Sequence, residues 1–151
     1  MDVFVLDVNA ADRYELLKLL AEKLYEMGYV KSTYLNALIK RENEYPTGLV
    51  VTDNFHVAIP HADVEHVEKE ALVVVRTNRR ITFRKMDDPS TEVPVDVVFL
   101  LVIKEPKGYV KFLAALTNLF TNEEFVKIIL NGSPQDVENY LRKNILVLRQ
   151  Q

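Results

Sequence analysis

The run Val-Asp-Val-Val-Phe-Leu-Leu-Val-Ile at residues 95–103 carries one polar side chain, Asp96, among nine positions. β-Branched and aromatic residues dominate it, so it reads as a strand, and a strand turns successive side chains to opposite faces. Both faces of this strand are therefore apolar, a pattern that is stable only inside a sheet covered on both sides. The run is also too short to cross a bilayer as a helix, which needs about 20 apolar residues. The chain must supply layers for two faces of a sheet.

Its other elements do so. Residues 3–8, 71–76 and 81–85 read as further strands. From Ala11 to Met27, the positions Leu16, Leu17, Leu20, Leu24 and Met27 recur at helical spacing, and Gly28 supplies a stop. A second helix is predicted behind Ser32 as N-cap, with Tyr34, Leu35, Leu38 and Ile39 on one face; it ends ahead of Pro46 and Gly48. Helices follow over 108–120, 122–131 and 134–143, the last with Ser133 as cap and Pro134 at its first position. Helices, then strands, then helices predict an α/β fold: a single layered domain over 1–151, with a mixed β-sheet flanked by helices. Strand order does not follow from the pattern.

Composition removes several function classes. The 151 residues include no cysteine, which excludes disulfides and thiolate chemistry. The formal charge of −3 and the lack of a basic block argue against nucleic acid as a partner. The most basic stretch, RTNRRITFRK at 76–85, alternates with apolar residues and reads as a solvated strand edge or turn. Neither a signal peptide nor a spanning segment is present, so a cytoplasmic protein without direct membrane insertion is expected. No P-loop, dinucleotide fingerprint or nucleophile elbow occurs, and there are only four glycines.

All three histidines, His56, His61 and His66, lie in FHVAIPHADVEHV, each five residues from the next. On a helix that spacing separates neighbours by about 140°, and on a strand it puts them on opposite faces. Neither geometry converges the rings on a metal, although a loop could gather them with Asp63 and Glu65. An imidazole can instead be the reactive group, since its neutral form is nucleophilic near pH 7. VAIPHA reads as a strand halted by Pro60 that presents His61 at its end, where α/β folds place sites. A surface histidine after a proline fits the local residues equally well.

RENEYPTGL at 41–49, followed by VAIPHADVEHV at 57–67, resembles the signature of the type-2 enzyme IIA (EIIA) domains of the bacterial phosphoenolpyruvate-dependent sugar phosphotransferase system. The likeness runs over nearly the whole chain, through the N-terminal helices ending in MGYV and the C-terminal FLAALTNLF. The insert VVTDNFH and the stretch ITFRKMDDPSTEVPVDVVFLLVI are most similar to galactitol-type members. The resemblance implies a mannitol-type IIA-like fold and a phosphocarrier. In it His61 accepts a phosphoryl group from HPr, on Nε2, and passes it to a cysteine of an EIIB component that serves a membrane EIIC. No cofactor is implied beyond the covalent phosphohistidine.

By the same resemblance Arg41 stabilises the phosphoryl group, for which a planar guanidinium is well shaped. Thr47 is a further candidate donor, and a backbone carbonyl is expected to hold the other ring nitrogen of His61. Mannitol- and fructose-type members carry a second histidine where this chain has Tyr109, so a phenol stands in its place. His56 is a candidate auxiliary donor, and His66, in an acidic stretch, is expected to be solvated. The same family fold also serves regulatory proteins of the nitrogen-related type and is compatible with a non-catalytic interaction domain, so those readings stay open beside sugar transport.

Overall fold

The computed structural model describes residues 1–149. Its elements are β1 (Asp2–Val8), α1 (Arg13–Glu26), α2 (Tyr34–Glu44), β2 (Gly48–Thr52), β3 (Phe55–Ala58), β4 (Ala71–Lys85), β5 (Asp88–Val102), α3 (Tyr109–Leu119), α4 (Glu123–Asn131) and α5 (Pro134–Asn144), with short 3-10 turns at Val64–His66 and Leu146–Arg149. The five strands make one mixed sheet in the order β1-β4-β2-β3-β5, with an added β4–β5 pairing. β4 and β5 form a long antiparallel hairpin, β1 joins β4 in parallel, and β3 joins β5 in parallel.

The apolar run divides between two cores, as its alternation requires. Val98, Leu100 and Val102 face a cluster with Leu16, Leu20, Tyr34 and Leu38 of α1 and α2. Val97, Phe99, Leu101 and Ile103 face Phe112, Leu116, Phe125 and Leu141 of α3, α4 and α5. Each fully buried large apolar side chain contributes about 1.5–3 kcal/mol, so both layers are held mainly by this burial.

Several boundaries differ from the sequence expectation. The strands at 71–76 and 81–85 are one strand, β4: its pairing with β5 is interrupted over the polar Thr77–Arg80 stretch by a register shift between Arg76 and Ile81 and resumes at Ile81, while Thr77 pairs with Val8 of β1. β5 begins at Asp88 rather than Val95: residues 88–92 are exposed and held by pairing with β4, and Val93 is buried against Phe83 and Ile81. β2 was not expected at all; it pairs with β3 through the turn at Asp53 and Asn54. The N-cap of α2 is Thr33, not Ser32, and it makes no side-chain cap. The Ser133 cap with Pro134 at the first position of α5, and the stop at Gly28 after α1, match the expectation; Asp136 completes a capping box with Ser133, and Gly28 takes a positive φ.

Candidate active site

β3 stops at Ala58, and the chain continues through Ile59 and Pro60 alongside the end of β5. The Leu101 N–H donates to the Pro60 carbonyl, and His61 pairs with Leu101 as an isolated parallel bridge. His61 therefore stands half-buried where the parallel β3 and β5 run out. Its Nδ1 lies 3.0 Å from the Ile59 carbonyl oxygen. A carbonyl only accepts, so Nδ1 carries the proton and Nε2 keeps its lone pair. Burial pulls the His61 pKa below the usual imidazole value, helped by the Arg41 charge and opposed by the Ile59 hydrogen bond and Asp63. The ring is held toward its neutral form.

His61 opens into a cleft of about 310 Å³ lined by Arg41, Ala62, Asp63, Val64, Ile103 and Tyr109. Arg41 comes from the last turn of α2, spans 3.6 Å from Nη1 to Asp63 Oδ1, and lies over the Tyr45 ring. Tyr109 is the first residue of α3, set by the left-handed Gly108 before it, and its ring centroid is 6.4 Å from that of His61. The Tyr109 hydroxyl and Arg41 Nε are both buried and have no hydrogen-bond partner. Buried donors are almost always paired, so the Tyr109 hydroxyl and Arg41 Nε are donors available on the cleft wall beside the free imidazole nitrogen. Burial also pushes the Tyr109 phenol up, which keeps it a donor.

The loop carrying Tyr109 is tied down from outside. Glu70 Oε2 accepts the N–H groups of Lys104 and Glu105 at 2.9 Å each, and Arg149 donates to Glu70 and to the Glu105 and Lys107 carbonyls.

Three other expectations change. Thr47 is buried beneath the turn rather than in the cleft: its hydroxyl donates to Glu42 Oε1 at 2.8 Å and accepts from Ile59 N–H at 3.2 Å. Both roles of that hydroxyl are filled, so it is not free for a phosphoryl oxygen. His56 lies five residues back along β3, about 16 Å at ordinary strand rise. Its Nδ1 donates to the Pro94 carbonyl, which holds it at the far part of the sheet, away from the cleft. His66 is not simply solvated. Its Nδ1 meets the Thr33 hydroxyl at 2.8 Å, which also explains why Thr33 does not cap α2. Among the described residues no group of three His, Asp or Glu side chains is arranged to hold a metal ion.

Glu42 is the residue that the sequence reading missed. It is 4% exposed, and burial pushes its pKa up to about 7 against the Thr47 hydrogen bonds and the Arg13 charge. A signal was present: Tyr34, Leu38 and Glu42 follow at i, i+4 and i+8, which sets a carboxylate on the buried stripe of α2.

Comparison with known proteins places the chain as a whole. Residues 1–144 match the family described as phosphoenolpyruvate-dependent sugar phosphotransferase system, EIIA 2. The chain is 27% identical over 139 residues to the galactitol-specific EIIA component of Escherichia coli (strain K12), covering 92% of this chain and 91% of that one. It is 25% identical to part of the mannitol-specific EIICBA component of Pasteurella multocida, covering 90% of this chain and 21% of that longer protein. The fold superposes with a TM-score of 0.70, at 22% identity and 94% coverage of both chains, on the complex of enzyme IIA-mannitol with phosphorylated enzyme IIB-mannitol from Escherichia coli.

Proposed function

Because the chain belongs to the EIIA 2 family of the phosphoenolpyruvate-dependent sugar phosphotransferase system, we propose that it is a phosphocarrier in which His61 takes a phosphoryl group from phospho-HPr and passes it to a cysteine of an EIIB partner. One observation carries this reading: the only cleft side chains with orphaned donors, Arg41 and Tyr109, flank an imidazole whose Nδ1 is pinned and whose Nε2 is free. In the first step Nε2 attacks phosphorus in line, a P–N bond forms, and the P–N bond to the donor histidine breaks. Arg41 and Tyr109 receive the equatorial oxygens, whose charge they stabilise as positioned donors. In the second step a thiolate sulfur attacks the same phosphorus, and Nε2 leaves as a neutral ring. No cofactor enters beyond the covalent phosphohistidine.

The likeness to a galactitol-specific EIIA component supports a sugar alcohol as the transported substrate. The likeness to an enzyme IIA held in complex with its phosphorylated IIB supports an EIIB as receiving partner. Among the described residues no helix is long and apolar enough to cross a membrane. The test is intact-protein mass spectrometry after incubation with phosphoenolpyruvate, enzyme I and HPr. One acid-labile phosphoryl mass is expected, kept in His56→Ala and lost in His61→Ala. A folded wild-type protein that gains no mass would overturn the carrier reading in favour of a non-catalytic interaction domain.

A further inference from the structure

A continuous hydrogen-bonded path runs from the buried end of α2 to the reactive ring. Glu42 accepts twice from Thr47, at Oε2 from the backbone N–H and at Oε1 from the hydroxyl, both at 2.8 Å. Thr47 in turn receives the Ile59 N–H, at 3.2 Å on its hydroxyl oxygen and at 3.4 Å on its carbonyl. The opposite end of the Ile59 residue, its carbonyl, receives Nδ1–H of His61 at 3.0 Å. Glu42, Thr47 and Ile59 are all buried, at 4%, 3% and 4% exposure. In a dry interior such a path is stiff, because each broken link leaves an unpaired polar group at a cost of about 1–3 kcal/mol.

We propose that Glu42 and Thr47 are positioning residues: as a pair they fix the backbone of Ile59, so that its carbonyl selects the Nδ1–H tautomer of His61 and leaves Nε2 as the nitrogen that takes the phosphoryl group. The proposal rests on the reading of His61 as the phosphoryl acceptor. Neither side chain touches the transferred group, since neither lines the cleft. Their effect passes through one peptide segment. It makes Glu42 a determinant of which imidazole nitrogen reacts, although the residue is out of reach of any partner protein.

The tautomer is read directly by long-range ¹H–¹⁵N NMR correlation of the neutral ring, in the unphosphorylated protein. Wild type should show the Nδ1–H form. Thr47→Val removes the hydroxyl at nearly constant volume and should give a tautomer mixture, with phosphorylation by phospho-HPr slowed about tenfold; Thr47→Ser should restore both. Glu42→Gln keeps the packing but puts an amide donor on one side of Thr47, and it should shift the mixture in the same direction. It also serves if Thr47→Val does not fold. A folded variant of either kind that keeps the wild-type tautomer population overturns the proposal. The two readings fail separately: a tautomer shift without any phosphorylation of wild type removes only the phosphocarrier, and phosphorylation with unmoved tautomers removes only the positioning role.

Discussion

At the scale of single residues, the proposed function gives a use to cleft groups that are buried without a hydrogen-bond partner. The buried, unpaired Tyr109 hydroxyl is the plainest case. Tyr109→Phe removes an unsatisfied donor, so thermal melting should show a variant at least as stable as wild type, while its phosphorylation rate drops about tenfold for one lost hydrogen bond of roughly 1–1.5 kcal/mol. A destabilised variant with full transfer rate would contradict this account of Tyr109. His61 gives a second prediction. Its folded pKa lies below the ordinary imidazole value of 6.5, so the fold loses stability as pH falls below that value, where the unfolded ring gains its proton first. Arg41→Ala removes one cause of the depression, and the NMR titration midpoint of His61 should move up toward the ordinary value. Pro60 and the apolar strand before it made the position of His61 legible in the sequence, but its role was suggested only by family likeness. Arg41 was legible only through family likeness, since locally it is one more cation at a helix end. Thr47 was named for the wrong contact: nothing in its neighbourhood shows that its hydroxyl meets Ile59, twelve positions away.

At the scale of elements, the segment Pro46-Thr47-Gly48 turns the end of α2 into the start of β2, and each residue has a different task. Pro46 closes the helix, Thr47 reaches the Ile59 peptide, and Gly48 lets β2 press against β4. A Cβ on Gly48 would stand 2.5 Å from the Arg84 carbonyl oxygen and 3.3 Å from Val93 Cβ, and the first of these is backbone that cannot swing aside. Gly48→Ala should therefore cost about 1–3 kcal/mol in urea denaturation, as overpacking does. α2 contributes a pH signature as well. Because burial raises Glu42 to about 7, the folded state keeps a proton that the unfolded state has released, and stability falls as pH rises from about 4.5 to about 7. The fall has an upper size on the order of 3 kcal/mol. Urea midpoints at pH 5 and pH 8 should converge more closely in Glu42→Gln than in wild type; an equal pH difference in both proteins would show that Glu42 ionises normally. The helices and the central strand were legible because their periodicity is strong. β2 and the unbroken length of β4 were not: β2 is five residues long and starts at Gly48 of the Pro46-Thr47-Gly48 turn, and the polar Thr77–Arg80 stretch of β4 carries no apolar alternation.

At the scale of the whole molecule, the apolar run over the last part of β5 and Ile103 separates two cores that share no helix. The sequence made both layers foreseeable, since a strand apolar on both faces demands them. It did not disclose strand order, which depends on pairings between residues far apart in the chain. Truncating either core should act on the site in the same way: Leu16→Ala and Leu116→Ala, each costing about 2–5 kcal/mol, should lower the phosphorylatable fraction in step with the folded fraction measured by circular dichroism. Arg41 arrives on a helix of one layer, Tyr109 on a helix of the other, and His61 at the sheet end between them. The cleft is thus a seam, closed only when the two sides are finished independently. Under the proposed function, a chain with one side still open would display the histidine without the groups that hold the phosphoryl oxygens, so phosphoryl uptake would report completion of both sides of the fold.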